Sequence, residues 1–382
     1  MSGHPPRLMP RQRIAIIGAS GSIGTQTLEV IEGRRGWFDV VALAVGRDGT
    51  TARALADRYP SARLIAGLDG AELSEAILGA EPDVVVAAAT GLVGINATID
   101  ALDADRIVAI ANKEAIVAGG ELVIGAARRA AARAGTTLLE RLRPVDSEHS
   151  AIWQCLAGEP KESVERIWLT ASGGPFRTWD ASRIARAQVA DALQHPTWAM
   201  GGKITVDSAS LVNKGLEVIE AHRLFELPID QISVLVHPES LLHGAVVFVD
   251  GSIKGQIGST DMRGPIGYAL DYPRRNRGAA HGLDLGALNG LTFETPDAER
   301  FPGFAVALEA GANGGSAPAA LIVADDVATA RFLSGEIGFG DIPPLLSAAV
   351  ERFGGAPEAR NLTELNLFDR EVRRFAQQWR SA

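Results

Sequence analysis

The chain has 382 residues, which is too long for one ordinary hydrophobic core and predicts two or three domains. Apolar residues make up 46% of it and the formal net charge is −9, so a globular protein is expected, and nucleic acid or an anionic membrane is disfavoured as a partner. The single cysteine, Cys155, excludes an intramolecular disulfide and favours a reducing compartment, predicted to be the cytoplasm. The first 13 residues contain Pro and Arg but no apolar stretch, so neither a signal peptide nor a membrane helix is expected there.

Strands and helices are predicted to alternate over the first 140 residues. Short apolar runs at 13–18, 39–45, 83–89 and 106–111 indicate buried strands, and residues 23–31 have the apolar spacing of a helix. This alternation predicts an α/β fold that starts with a doubly wound, Rossmann-like parallel sheet.

The pattern changes after residue 146. Further strands are predicted at 166–171, 232–236, 245–249 and 253–257, the last two joined by a hairpin turn at Asp250-Gly251-Ser252. Helical apolar spacing runs from about residue 305 to the end of the chain and predicts a C-terminal bundle. The predicted parts are a doubly wound domain (1–145), a central α+β domain (146–271), a linker rich in Pro, Arg, Gly and Asn (272–300), and a C-terminal helical domain (301–382).

The turn after the first strand has the sequence Gly18-Ala19-Ser20-Gly21-Ser22-Ile23-Gly24. Its glycines allow the backbone to approach a pyrophosphate, and the helix that follows directs N–H groups at it. A plain glycine-rich turn is the alternative, but the strand–turn–helix context favours a dinucleotide.

The end of the second strand bears on which dinucleotide binds. An NAD site usually has an acid there, whereas this chain has Gly46-Arg47-Asp48. Arg47 could pair with a 2′-phosphate, which favours NADPH, although Asp48 would repel that phosphate unless it points away. A solvated loop charge is the alternative for Arg47.

Three acidic residues are candidates for a divalent metal site: Asp146, Glu148 and Glu217. If Asp146-Ser147-Glu148 is extended, both carboxylates point to one side of the segment. Carboxylate oxygens suit Mg²⁺ or Mn²⁺. Two solvated acids at a strand end are the alternative from the spacing alone.

Groups that could hold a phosphorylated substrate surround these acids in the sequence. The turn Ser172-Gly173-Gly174 exposes N–H groups and a hydroxyl, as phosphate sites do. Ser208, Asn213 and Lys214 shortly precede Glu217, and on a helix over 210–225 Asn213 and Glu217 share a face. A capping serine and a solvated helix face are the alternative.

The segment 195–202 and the start of the run 111–114 complete the candidate site. His195 and Trp198 on a glycine-bounded loop predict a lid that excludes water, with His195 as a phosphate donor; a Trp packed into a domain seam is the alternative. Lys113 follows a strand of the first sheet, where ligands of such sheets bind, and is a candidate substrate contact. Asn112 and Glu114 could reach the nicotinamide.

Taken in order, these motifs resemble the 1-deoxy-D-xylulose 5-phosphate reductoisomerase family. The resemblance covers nearly the whole chain and rests on runs 18–24, 111–114, 144–149, 171–177, 195–201, 206–220, 261–263 and 337–339. It implies that NADPH and a divalent metal (Mg²⁺ or Mn²⁺, with Co²⁺ possible) support the rearrangement and reduction of 1-deoxy-D-xylulose 5-phosphate to 2-C-methyl-D-erythritol 4-phosphate, a step of non-mevalonate isoprenoid synthesis. It also implies a V-shaped homodimer in which residues 1–145 form an NADPH-binding domain, 146–271 a catalytic and metal-binding domain, and 301–382 a helical domain.

The same resemblance implies roles for individual residues. The metal ligands would be Asp146, Glu148 and Glu217, which form the catalytic set together with Lys113. The substrate contacts would be Lys113, Ser147, Glu148, Ser172, His195, Trp198, Ser208, Asn213, Lys214 and Glu217. The NADPH contacts would be Ser20, Gly21, Ser22, Ile23, Gly46, Arg47, Asp48, Asn112, Glu114 and Gly201.

The chain departs from the family pattern at several positions. Residues 140–143 stand where the family usually runs from a strand directly into Pro-Val-Asp, and they could form a longer loop or shift the strand that aims Asp146. Other departures are Asp48 for Asn, Glu239 for Gln, Gly244 for Ser, and Asp325-Asp326 for Asn-Glu. All proposed contact residues are of the expected type, so an active enzyme is predicted.

Two other functions would account for parts of the sequence. An NADP-dependent dehydrogenase of the semialdehyde type needs a cysteine nucleophile beside a histidine, but Cys155 lies in an apolar, helix-like run and is predicted to be a core residue. A dinucleotide-binding sensor without catalysis would be expected to have lost part of the acidic trio, which is complete here.

Overall fold

The structure is a computed structural model that describes residues 11–34, 36–46, 49–198, 201–277, 280, 282–284, 286 and 288–381. Its strands, in chain order, are β1 (Gln12–Ile17), β2 (Phe38–Val45), β3 (Arg63–Ala66), β4 (Val84–Ala87), β5 (Ile107–Ile110), β6 (Leu142–Pro144), β7 (Val164–Ala171), β8 (Ile232–Val236), β9 (Leu242–Phe248) and β10 (Ile253–Ile257). Within the described ranges, none of the helices combines the length and apolar content that a bilayer span requires.

The helices alternate with the strands in the first half of the chain and dominate its end. They are α1 (Ser22–Glu32), α2 (Gly49–Arg58), α3 (Gly70–Leu78), α4 (Ile95–Asp103), α5 (Lys113–Ala134), α6 (Leu138–Arg141), α7 (Ser147–Leu156), α8 (Ala181–Ala185), α9 (Val189–Ala192), α10 (Gly202–Ala209), α11 (Val212–Phe225), α12 (Arg263–Asp271), α13 (Pro302–Asn313), α14 (Ala317–Leu333), α15 (Ile342–Phe353) and α16 (Leu362–Gln378).

The first six strands form one parallel sheet in the order β3-β2-β1-β4-β5-β6. The order reverses between β1 and β4, and this reversal opens a crevice at the carboxyl ends of the strands, where doubly wound sheets bind dinucleotides. The predicted Rossmann-like sheet is therefore confirmed. The sequence analysis did not predict β3 or β6, which are only four and three residues long.

The departure at residues 140–143 forms regular structure. Residues 138–141 are the helical turn α6, which starts with a capping box between Thr137 and Glu140. Leu142 and Arg143 then belong to β6, which pairs with β5 at the edge of the sheet. The extra residues are thus a short helix and part of a strand, and the predicted longer loop is absent from this described segment.

The second sheet has the order β10-β9-β7-β8. Strands β7 and β8 are parallel, and β9 pairs antiparallel with both β7 and β10. The predicted hairpin between β9 and β10 is present, with Gly251 at a positive φ of 83°. Helix α7 packs on β9 and β10, and α11 packs on α5 and β8, so the sheet supports the two helices that carry the acidic residues.

Four long helices, α13 to α16, form the predicted C-terminal bundle. Helix α14 is its centre: it packs against α5, α10, α13, α15 and α16, and most of its side chains are buried. The bundle therefore contacts both α5, which follows the first sheet, and α10, which precedes α11. The described residues of the predicted linker lie largely in irregular structure, and Glu294 forms an isolated bridge with Val236.

Candidate functional site

A cavity of about 640 Å³ opens where the crevice of the first sheet meets the second sheet and α11. Residues far apart in the sequence line it. Those predicted from the sequence are Ser22, Ile23, Lys113, Asp146, Ser147, Glu148, Ser172, His195, Trp198, Gly201, Ser208, Asn213, Lys214 and Glu217. The structure thus brings together the acidic trio, the phosphate-binding candidates and part of the glycine-rich turn.

The three candidate metal ligands converge. One carboxylate oxygen from each of Asp146, Glu148 and Glu217 lies within 4.8 Å of the others. The backbone reasoning for the first two was wrong: Asp146 immediately precedes α7, and Glu148 lies in the first turn of that helix instead of on an extended segment. The Asp146 side chain makes no capping hydrogen bond and instead pairs with Lys113. The trio forms where the start of α7 meets α11, which contact each other through His149 and the carbonyl of Glu217.

Two ammonium groups lie among these carboxylates. Lys113 Nζ is 2.7 Å from Asp146 Oδ2 and 3.2 Å from Glu217 Oε1. Lys214 Nζ is 3.1 Å from Glu148 Oε1 and also contacts Glu217. Three carboxylates converge around these two ammonium groups, so their oxygen atoms form a ready set of ligands for a further cation.

The protonation behaviour of the cluster reflects this convergence. Burial raises the pKa of Glu148 to about 7, and the nearby charges of Glu217 and Asp146 add to the effect against the opposing influence of Lys214. The pKa of Asp146 lies well below its ordinary value because Lys113 and His149 outweigh its desolvation. One carboxyl of the trio therefore competes for a proton near neutral pH, and a divalent ion would displace that proton.

A second group of polar residues lies behind the trio and was not predicted. His149 is fully buried, with Nδ1 3.6 Å from Asp146 Oδ1 and Nε2 3.6 Å from Glu220 Oε2. Its Nε2 also lies 2.9 Å from the carbonyl of Glu217 and bonds to it. His149 was visible in the sequence three residues after Asp146, one helical turn away, whereas the contact with Glu220 depends on tertiary packing alone.

The donor set fits a hard divalent cation. Three carboxylates on two rigid helices supply oxygen ligands, and buried groups behind them orient the ligating side chains. The residues therefore suit Mg²⁺ or Mn²⁺ better than a softer metal, which would call for cysteine or several histidines.

The far end of the cavity has the features of a phosphate site. The predicted Ser-Gly-Gly turn follows β7, and Gly173 and Gly174 have positive φ values of 84° and 65°. A Cβ at Gly174 would lie 2.6 Å from the carbonyl oxygen of Ser208, so only glycine allows the turn to approach α10 this closely. This approach places the hydroxyls of Ser172 and Ser208 on the same cavity.

His195 is held in one tautomer by its own loop. Its Nδ1 accepts hydrogen bonds from the backbone N–H of Thr197 (3.2 Å) and of Trp198 (2.9 Å). The proton of the neutral ring must therefore be on Nε2, which lies 3.0 Å from Ser172 Oγ and donates to it. Desolvation lowers the pKa of His195 to about 4, so the ring is neutral in the ligand-free chain.

The glycine-rich turn is built for close backbone contact. A Cβ at Gly18 would lie 2.6 Å from the carbonyl oxygen of Ala88, and one at Gly24 would lie 2.3 Å from that of Gly18. Helix α1 then begins at Ser22 without a side-chain cap, so its first N–H groups face the cavity mouth with Ser22, Ile23 and Gln26. This arrangement suits an anionic group.

Some predicted NADPH contacts do not line the cavity. Ser20, Gly21, Gly46, Asn112 and Glu114 are outside its lining, and Arg47 and Asp48 lie outside the described residues. The side-chain oxygen of Asn112 accepts from Ala115 N and caps α5, and its amide donates to Gly91 O, so its polar groups have partners within the protein.

The sequence analysis assigned no role to the rim formed by 259–263. Ser259, Thr260, Asp261, Met262 and Arg263 line the cavity beside α1. Arg263 forms a two-pronged ion pair with Asp261 and lies 3.5 Å from Glu29 of α1. The match of Asp261-Met262-Arg263 to the family pattern was the sequence feature that could have identified this rim as part of the site.

Comparison with known proteins places the whole chain in one group. A family model described as 1-deoxy-D-xylulose 5-phosphate reductoisomerase matches residues 14–67 and 53–120, and two models of C-terminal domains of the same enzyme match residues 142–225 and 257–375. A reductoisomerase of this name from Symbiobacterium thermophilum is 48% identical over 367 residues, covering 90% of this chain and 92% of the relative. One from a Geobacillus strain is 44% identical over 384 residues, covering 95% and 98%.

Solved structures agree with these matches. The Zymomonas mobilis enzyme in complex with NADPH aligns with a TM-score of 0.84 at 37% identity, covering 96% of this chain and 98% of that one. A reductoisomerase in complex with NADPH, fosmidomycin and magnesium aligns with a TM-score of 0.87 at 34% identity, covering 96% and 97%. The chain therefore belongs to the 1-deoxy-D-xylulose 5-phosphate reductoisomerase family, as its motifs indicated.

Proposed function

We propose that this chain uses NADPH and a divalent metal, Mg²⁺ or Mn²⁺ with Co²⁺ possible, to convert 1-deoxy-D-xylulose 5-phosphate to 2-C-methyl-D-erythritol 4-phosphate in non-mevalonate isoprenoid synthesis. The observation that carries the proposal is the convergence of three carboxylates within 4.8 Å at the inner end of a dinucleotide crevice. Family membership, and the NADPH, fosmidomycin and magnesium named for similar structures, support the same reading.

Asp146, Glu148 and Glu217 would hold the metal, which when bound supplies a Lewis acid for a substrate carbonyl and hydroxyl. Lys113 Nζ lies between Asp146, Glu217 and Asn213 Oδ1 (2.8 Å), so its ammonium group is fixed beside the place where the carbonyl end of the substrate would bind. It provides a fixed positive charge where oxygen gains negative charge during reaction.

The phosphate of the substrate would lie towards the Ser172-Gly173-Gly174 turn, where Ser172 and Ser208 line the cavity. Asn213 and Lys214, which contact the acidic trio in the ligand-free chain, would add an amide and a positive charge from that side. The Nε2–H of His195 donates to Ser172 Oγ in the ligand-free chain and would turn to a phosphate oxygen. Binding energy gained at this end would hold the reacting carbons in place near the metal and the nicotinamide.

The segment that carries His195 and Trp198 would cover the bound substrate. The Trp198 ring is half-buried and packs 6.3 Å from the ring of His243, centre to centre, at the edge of the cavity. Covering the site with this indole would exclude water from the rearranging carbon skeleton and from the hydride path.

NADPH would bind in the crevice, with its pyrophosphate at the N-terminus of α1 and its nicotinamide towards Lys113. The residues proposed to contact it are Ser20, Gly21, Ser22, Ile23, Gly46, Arg47, Asp48, Asn112, Glu114 and Gly201. Ser22, Ile23 and Gly201 line the cavity and support this placement.

We further propose a homodimer in the cytoplasm. Strand β10 lies at an edge of the second sheet and exposes Ile253 and Ile257, a surface that association would cover. The buried, lone Cys155 accords with a reducing compartment. Sedimentation of the wild type and of Ile257→Lys tests the dimer: the account expects two chains per particle and a weaker association in the variant.

The activity is tested by following NADPH absorbance with 1-deoxy-D-xylulose 5-phosphate in the presence and absence of Mg²⁺ or Mn²⁺. The proposal expects oxidation that needs both the substrate and the metal. Oxidation that continues after complete metal removal, or none with either metal, would contradict it. The semialdehyde dehydrogenase alternative is disfavoured because Cys155 is buried and burial raises the pKa of its thiol.

A further inference from the structure

Arg143 is a buried cation at the centre of a sheet strand. Arg143 lies in β6 and is 5% exposed, whereas strands of a parallel sheet usually carry apolar side chains. Burial lowers the pKa of Arg143 to about 10, so the guanidinium stays charged at neutral pH. Such a group needs compensation from its surroundings.

The compensation does not come from an adjacent carboxylate. Over the described ranges, no carboxylate oxygen lies within 4.0 Å of the Arg143 guanidinium; Glu140 acts on it from farther away. Instead, Nη1 donates to Ala269 O at 2.7 Å, Nε donates to Glu140 O at 3.1 Å, and the ring of Tyr272 lies 5.4 Å away.

The bond to Ala269 caps helix α12. Ala269 is in the last turn of that helix, and the residue four positions later is Pro273, which has no N–H to complete the helical bond. Arg143 supplies the missing donor and places a positive charge at the negative end of the helix dipole. The hydroxyl of Tyr272 donates to Glu140 Oε1 (3.2 Å), so the 140–143 segment holds the end of α12 at two points.

The other end of α12 reaches the cavity. The helix begins at Arg263, which lines the cavity with Met262 and forms the ion pair with Glu29 of α1. Helix α12 also packs directly on α1 and α7. A shift of its capped end would therefore move the rim beside the dinucleotide turn.

The metal-binding candidates are anchored independently of Arg143. Strand β6 pairs with β5 on both sides of it, at Leu142 and Pro144, and Val145 N donates to Ile110 O at 2.8 Å. Losing the guanidinium leaves these backbone bonds, so Asp146 stays in place while α12 loses its cap.

We propose that Arg143 is a positioning residue for the cofactor side of the site: by capping α12 it fixes the Met262–Arg263 rim against α1, so the 140–143 segment tunes NADPH binding. This inference rests on the proposed NADPH site. It gives the departure at 140–143 a function that neither the strand nor the acidic trio requires.

The test compares Arg143→Met with Arg141→Met. Arg141 lies on the same segment but bonds to the carbonyl of Asp105, away from α12, and is the matched control. NADPH affinity is measured by fluorescence titration, and Mn²⁺ affinity by calorimetry on the same preparations. For Arg143→Met we expect NADPH binding about tenfold weaker, the scale of one hydrogen bond from a charged donor, and Mn²⁺ binding within about twofold of wild type. Arg141→Met should change neither affinity.

A double variant shows whether the effect passes through the rim. If Arg143 acts by placing Arg263, then Arg143→Met weakens NADPH binding less in an Arg263→Met background than in the wild type. Full additivity of the two losses would overturn the inference.

Other results also overturn it. Unchanged NADPH affinity in Arg143→Met refutes the positioning role, and an equal loss of NADPH and Mn²⁺ affinity shows general damage instead. If Arg143→Met does not fold, Arg143→Lys provides the test. We expect this variant to lose less NADPH affinity than Arg143→Met would and to keep its Mn²⁺ affinity. An unchanged NADPH affinity in Arg143→Lys would refute the inference. A wild type that binds no NADPH removes the proposed function itself, which is a distinguishable outcome.

Discussion

Replacing Glu217 by Gln removes one charged ligand from the candidate metal site while keeping the shape of the side chain. Glu217 is 2% exposed on α11 and contacts both Lys113 and Lys214. Each lysine keeps another carboxylate partner in the variant, Asp146 for Lys113 and Glu148 for Lys214, so neither ammonium group is left alone. The change therefore acts mainly on the charge offered to a bound cation.

The expected loss of metal affinity follows from charge and distance. Two unit charges about 4 Å apart interact by about 4 kcal/mol at an effective dielectric constant of about 20, and a divalent ion held directly by the carboxylate interacts more strongly. The variant also loses the repulsion between residues 217 and 148, which offsets part of this energy. Taking half of the unit-charge figure, roughly 2 kcal/mol, as the smallest loss gives a dissociation constant for Mn²⁺ at least about thirtyfold higher.

Calorimetric titration of Mn²⁺ measures this loss, with Glu220→Gln as the matched control. Glu220 has the same side chain one turn farther along α11, but it faces His149 and lies outside the cavity lining, so we expect less than about a threefold change. NADPH affinity should be unchanged in both variants. The reasoning is refuted if Glu217→Gln binds Mn²⁺ as tightly as the wild type, or if Glu220→Gln loses as much.

Three further predictions concern other parts of the site. Gly174→Ala should destabilise the protein more than Gly135→Ala does in thermal unfolding, and it should raise KM for the phosphorylated substrate. Both glycines have φ near 65°, where a side chain costs about 1–2 kcal/mol. The new methyl group would meet a backbone oxygen at Gly174 but open space at Gly135. Mn²⁺ affinity should fall as the pH drops below about 7, because burial raises the pKa of Glu148 to about 7 and its proton competes with the metal. A Mn²⁺ affinity, measured by calorimetry, that stays constant between about pH 6 and pH 8 would contradict this prediction. Cys155→Ala should leave kcat within about twofold, because the thiol is buried in α7, and a loss of turnover would revive the dehydrogenase alternative.

Much of the fold could be predicted from the sequence because the periodic spacing of apolar residues and the glycine-rich turns mark the elements clearly. The apolar strand before Gly18, the glycine turn and the amphipathic helix after it predicted β1 and α1 to within a residue or two. Strands β3 and β6 were missed because they are short and each carries an arginine, which reads as a loop residue. In β6 the arginine is stabilised by its contacts with Ala269 O, Glu140 O and the Tyr272 ring, which form only in the folded chain.

The convergence of the acidic trio was predicted from the sequence, but part of the reasoning was wrong. The period-two argument for Asp146 and Glu148 failed because the chain turns into helix α7 directly after Asp146. The pairing of His149 with Glu220 could not be predicted, since it depends on how α7 and α11 pack. The helix expected over 210–225 is present as α11 but begins two residues later, because Leu211 has a positive φ and separates it from α10. Asn213 and Glu217 share a face of this helix as expected, and their side chains are hydrogen-bonded.

The central claim is that three side chains from α11 and the start of α7 share one cation. Anomalous diffraction from crystals of the protein soaked in Mn²⁺ tests it directly. The account predicts one strong peak about 2.0–2.3 Å from carboxylate oxygens of Asp146, Glu148 and Glu217. A peak between His149 and Glu220 instead, or none near the trio at saturating Mn²⁺, would contradict it.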